Sequence, residues 1–226
     1  VELTAIEDTI ESNIDESQSL GENNVIDEED NGTFTALQQK IDNAGDNSTI
    51  IFANNYTYDD EFTANGILIN KSLTIDGKGY TINANHQARI FSIAAANVTL
   101  KNINFINGNA SYGGAICWNN TENGIITDCL FEDNKAYDGG AIYFKGSNGI
   151  IKESNFTDNE AYYNGAVYMC SLQGSVIGCI FADNVATVSA GALGWVKRDN
   201  GTVVNSQFVN NSAPRGGAVF LNNGNS

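Results

Sequence analysis

Asp133, Asp158 and Asp183 each stand two residues after a phenylalanine, in a row continued by Asn107 and Asn210. Carboxylate and amide oxygens in one row are the donors that calcium prefers, so these residues are a candidate Ca2+ site; the competing reading is a row of solvated corners. Acid–base chemistry asks for more, namely carboxylates converging on one face beside an Arg, Lys or His. The chain has one histidine, His86, in the turn 83–87, while Arg89, Arg198 and Arg215 fall at unrelated positions. Asp59-Asp60-Glu61 is an acidic loop with no basic neighbour in sequence. No catalytic residue is assigned, and no cofactor beyond the calcium option. Aromatic side chains offer another chemistry, because their faces stack on sugar rings while their polar edges stay wet. Trp118, Tyr143, Tyr162 and Trp195 are the candidates, with Tyr112 and Tyr137 beside them. Asn-x-Ser/Thr sequons begin at Asn31, Asn47, Asn55, Asn70, Asn97, Asn109, Asn119, Asn155, Asn200 and Asn210. Of these, Asn47, Asn97, Asn119, Asn200 and Asn210 are the N-glycosylation candidates, as fits an exported surface.

The elements that must position these groups repeat. Phe recurs at 105, 131, 156, 181 and 208, and five residues later Ala recurs at 110, 136, 161, 186 and 213. A small-residue corner follows: Gly113-Gly114-Ala115, Gly139-Gly140-Ala141, Asn164-Gly165-Ala166, Ala190-Gly191-Ala192 and Gly216-Gly217-Ala218. Upstream of each Phe lies a short aliphatic run such as Ile125-Ile126-Thr127 or Val203-Val204. A period of 25 to 27 residues made of such runs and turns leaves no room for a helix in each repeat. The fold expected is all-β: a right-handed parallel β-helix of seven or eight coils, in which like residues stack on like. Phe then forms an internal stack. Asn134, Asn159, Asn184 and Asn211 form an amide ladder, and Gly140 and Gly217 hold backbone angles closed to larger residues.

Domain boundaries follow from charge and pattern. Residues 1–30 hold 11 acids and no base, out of a net charge of −16, so 1–32 is expected to be an acidic, loosely attached arm. Thr35-Ala-Leu-Gln38 has the form of a capping box, with Phe34, Leu37, Ile41 and Ala44 on one face, and predicts a capping helix over 33–45. Residues 46–226 then form the β-helix, expected to continue beyond Ser226. With 11 Lys and Arg in all, phosphate or nucleic-acid binding is excluded, and no apolar run is long enough for membrane insertion. Cys129 and Cys179 share a register two coils apart, about 9.6 Å, beyond the reach of a disulfide. Buried free thiols, or the pairs Cys117–Cys129 and Cys170–Cys179, stay open. Zinc is disfavoured, since there is no C-x-x-C pair.

The Phe-x-x-Asn and Gly-Gly-Ala-Ile pairs, as in Phe131-Glu-Asp-Asn134 with Gly139-Gly-Ala-Ile142, resemble the repeats of chlamydial polymorphic membrane proteins. Over residues 33–226 the chain is more similar to methanogen (archaeal) adhesin-like proteins. Ile75 to Gly79 matches their Ile-Asp-Gly-x-Gly segment, and 100–105 their Leu-Lys-Asn-Ile-Asn-Phe segment. Asn164 and Ala190 depart from the Gly pair, so those corners are expected to bend differently. The resemblance implies a secreted, cell-surface or cell-wall protein that attaches to a glycan or protein of another cell, with self-association along the repeat axis as a further expectation. Pectate-lyase-like solenoids also host polysaccharide lyases and hydrolases, so a carbohydrate-active enzyme is the alternative.

Overall fold

The computed structural model describes residues 24–60, 62–196 and 201–222, so most of the acidic arm, Glu61, Arg198 and the sequon residue Asn200 lie outside the described residues. Every coil contributes one short strand to each of several parallel sheets. One sheet has eight strands, from Val25–Ile26 to Thr202–Val204; two have seven, ending in Gln207–Val209 and Val219–Asn222. A fourth joins Asn109–Tyr112, Lys135–Asp138, Glu160–Tyr163 and Val185–Ser189. All the ladders are parallel and pair each coil with the next, giving about eight coils. Among the described residues, no helix is long and apolar enough to cross a membrane.

Alternation along each strand decides what faces the core. Phe105, Phe131, Phe156, Phe181 and Phe208 register one above another, with ring centroids 4.7 to 4.9 Å apart and planes within 9° of parallel. The expected aromatic stack is therefore present, each fully buried ring contributing about 2–3 kcal/mol of apolar transfer. Three residues on, the amide of Asn159 donates to Asn184 Oδ1 (2.9 Å) and to the Phe131 carbonyl (3.0 Å), while its own Oδ1 accepts from Asn134 Nδ2 (3.0 Å) and Asn134 N (3.1 Å). Asn184 and Asn211 repeat the pattern, so buried amides satisfy one another coil by coil.

The row proposed for calcium proves to be a row of left-handed corners: φ is 56° at Asn107, 51° at Asp133, 55° at Asp158, 57° at Asp183 and 54° at Asn210. Asn and Asp tolerate this conformation better than other residues with a Cβ, which accounts for their use here. The Gly pairs divide their work. The first member carries the positive φ, at Gly113, Gly139 and Gly216. The second is crowded: a Cβ on Gly140 would meet the Gly165 carbonyl oxygen at 2.0 Å. Forbidden backbone angles thus belong to the first glycine, not to Gly140 or Gly217. Asn164 (φ 55°) and Ala190 (φ 56°) take the same left-handed turn as Gly139 (φ 65°), so the expected difference in bending is absent.

The helix Phe34–Asn43 covers the first coil with Phe34, Leu37 and Ile41 buried, as expected. Its cap is Thr33, whose hydroxyl accepts from the Ala36 N–H at 3.1 Å, two residues before the predicted Thr35. Thr35 is instead engaged by Asp59, and Gln38 bonds both ways with the Leu68 backbone, donating at 3.1 Å and accepting at 2.7 Å. Gln38 thereby occupies the free edge of the strand Ile67–Ile69, which would otherwise stand open. Residues 24–32 are not a loose arm. Val25 and Ile26 pair with Thr49 and Ile50, and Asp30 meets Lys40 at 2.8 Å.

Candidate ligand-binding face

Where the sheet containing Lys135–Asp138 turns through the Gly corner into the sheet containing Ile142–Ser147, tyrosines accumulate across three coils. Tyr112, Tyr137 and Tyr162 are 47%, 51% and 42% exposed, large values for aromatic residues on strands. Tyr143, Tyr163 and Tyr168 are half-buried beside them. Coil stacking places like beside like: Tyr137 stacks on Tyr162 at 5.1 Å and Tyr143 on Tyr168 at 4.8 Å, while Tyr112 meets Tyr143 edge-on at 5.1 Å and Tyr163 meets Tyr137 at 5.6 Å. The outcome is a broad face of phenol rings with their polar edges available.

Asp138 lies within this face, in register with Tyr112 of the preceding coil and Tyr163 of the next. Burial pushes its carboxyl up to about 6, against the lowering effect of a 2.6 Å hydrogen bond from Asn164 Nδ2 and of the Gly139 N–H. Burial, then the nearby Asp138, raises the Tyr143 phenol to about 12, and burial raises Tyr168 as well. The Asn164 side chain fits because residue 194 is glycine: a Cβ there would sit 1.6 Å from Asn164 Oδ1. The departure from Gly at 164 therefore supplies a polar group to the face.

Of the predicted ligand-binding aromatics, Tyr143 and Tyr162 belong to this face. Trp118 and Trp195 do not: they are 0% and 4% exposed, in the inward column Trp118, Phe144, Met169, Trp195. Strand alternation from Ile116 and Leu193, both buried, carries that signal. Tyr163, Tyr168, Asp138 and Asn164 were missed because their convergence depends on how the corner folds one sheet against another. The sequon residues Asn47, Asn97, Asn119 and Asn210 are all exposed, and Asn97 Oδ1 accepts from Asn123 Nδ2 at 2.9 Å.

His86, isolated in sequence, comes next to Asp133, with Nε2 3.5 Å from Oδ2. Lys135 lies 3.7 Å from Asp133 and 3.6 Å from Glu160, so one member of the calcium row already has a cationic neighbour. Among the described residues, no three His, Cys, Asp or Glu side chains converge as a metal site. All four cysteines are free, which removes the pairs Cys117–Cys129 and Cys170–Cys179. A groove of about 480 Å3 lined by Ala96, Thr121, Glu122, Gly146, Ser147 and Leu172 lies apart from the tyrosines and offers a single carboxylate.

Residues 65–226 match the sequence profile of the family described as "Right handed beta helix region". The chain belongs to the right-handed β-helix family. No curated protein sequence and no solved structure matches it significantly. In this right-handed β-helix the matched segment contains all the residues of the tyrosine face.

Proposed function

We propose that this β-helix is a non-catalytic attachment module of a secreted, cell-surface or cell-wall protein, binding a glycan or protein of another cell through its tyrosine face. The observation that supports this best is the exposure of Tyr112, Tyr137 and Tyr162 on successive coils. Wet aromatic rings repeated at coil spacing give several weak contacts on one rigid body, and linked contacts add by multivalency. The exposed sequons agree with an archaeal surface glycoprotein, the source implied by the resemblance. A cell-binding assay with the purified chain, beside a degradation screen on acidic and neutral polysaccharides, tests the reading. Binding without turnover is expected.

One observation favours the second reading, a polysaccharide lyase or hydrolase: His86, Asp133, Lys135 and Glu160 form a network with the mixed charges that acid–base chemistry uses. Turnover abolished by Asp133→Asn would establish it in place of the attachment reading.

A further inference from the structure

Asp30, Asp76 and Asp138 are carboxylates partly or wholly withdrawn from water, and one of them differs from the other two. Asp30 has Lys40 Nζ at 2.8 Å, and Asp76 has Lys78 and Lys101 at 3.1 and 3.3 Å. Asp138 has no ion-pair partner among the described residues. Tyrosines surround it instead: Tyr112 and Tyr163 on either side in its own column, with the Tyr143–Tyr168 stack on the adjoining sheet. The Arg89 guanidinium does not serve it, being bonded to the Tyr112, Gly113 and Asn65 carbonyls and to Ser92 Oγ.

An ionised carboxylate without an ion-pair partner attracts a cation, and phenol rings around it add to that attraction where the cation reaches a ring face. Building on the attachment reading, we propose that the Asp138 corner captures one lysine or arginine side chain of a protein partner. A sugar needs many side-chain partners for its hydroxyls. Here the described polar groups facing Asp138 are phenols and the Asn164 amide, which already donates to Asp138 Oδ1. A long aliphatic stem ending in a charge can lie along the exposed and half-buried phenol rings of this face while its charge meets the carboxylate. The net charge of −16 also draws basic partners in preference to acidic ones.

Capture requires an ionised Asp138, so it should fade as pH falls through about 6. The titratable groups around the corner are the phenols Tyr112, Tyr143, Tyr163 and Tyr168 and the thiols Cys117 and Cys170; of the cations, Lys135 is on the same strand as Asp138, and Arg89, two coils before, is bonded to the Tyr112 carbonyl. Burial raises Tyr143, Tyr168 and Cys117, which keeps them neutral across that range.

The test is calorimetric titration of the full chain with a Lys/Arg-containing peptide, its Gln-substituted counterpart and an amino-sugar oligomer, at about pH 7.5 and about pH 5. The basic peptide should bind at the higher pH and weaken at the lower. Asp138→Asn should weaken it about tenfold or more. Asp183→Asn, which removes the same charge from an exposed corner, should leave it unchanged. Equal loss in both variants, Asp138-dependent binding of the amino sugar alone, or no binding of the basic peptide would overturn the proposal. Cell binding that survives Asp138→Asn would leave the attachment reading standing without it. Asp138-dependent peptide capture by a chain that binds no cells would uphold the capture site and remove the attachment reading.

Discussion

Asn164 Nδ2 lies 2.6 Å from Asp138 Oδ1 in the adjacent coil, and this amide, not a cation, is what the corner gives to a carboxylate withdrawn from water. The arrangement costs stability at neutral pH. Asp138 has a folded pKa of about 6, above its unfolded value near 3.9, so its contribution is present below about pH 4 and is lost as pH rises through 6. Asp138→Asn keeps an acceptor for Asn164 and removes the charge. It should stabilise the protein by up to about 3 kcal/mol at pH 8 and hardly at all below pH 4, read from thermal melts at both. Destabilisation at pH 8 would mean that the carboxylate is compensated.

The second glycine of each pair faces the next coil, and the last coil has none described above it. Gly140→Ala would drive its Cβ to 2.0 Å from the Gly165 carbonyl oxygen, whereas at Gly217 the nearest atom is 3.5 Å away. Denaturant melts should show a loss of about 3 kcal/mol or more for Gly140→Ala and less than about 1 kcal/mol for Gly217→Ala. Equal losses would refute the close contact between coils.

Removing one rung of the amide ladder leaves partners on both sides. Asn159→Ala deprives Asn134 of its acceptor and the Phe131 carbonyl of its donor, all of them buried. A cost of about 3 kcal/mol is expected in chemical denaturation, well above that of changing an exposed Asn such as Asn155.

Thiol chemistry separates inner from outer cysteines. Burial pushes Cys129 up to about 12 and raises Cys179 and Cys117 as well, but Cys117 and Cys170 are only half-buried and so open to reagent. In the native protein an alkylating reagent should modify Cys117 and Cys170 roughly tenfold faster or more than the other two, and all four should react in denaturant without reductant. A requirement for reductant would contradict the free thiols.

The coil architecture was legible because one-dimensional periodicity carries it: a Phe every 25 to 27 residues can stack only if each period is one turn. The helix was legible from Phe34, Leu37 and Ile41, though its cap was displaced because Asp59, 24 residues away, engages Thr35. The face was legible only in part. Tyr143 and Tyr162 are visible as aromatics near a corner, but Trp118 and Trp195 share that description and turn inward with the strand alternation. The meeting of Asp138 with Tyr163 and Tyr168 depends on the angle between two sheets, which no spacing encodes. His86 next to Asp133 is likewise a contact made only by coil stacking.

The most direct test of the attachment account compares the parent chain with a Tyr112→Ala/Tyr137→Ala/Tyr162→Ala variant in quantitative cell binding, with circular dichroism as the check on folding. All three side chains are exposed, so the variant should keep its β-helix and bind at least about tenfold more weakly. Undiminished binding by a folded variant would contradict the assignment of this face as the contact surface.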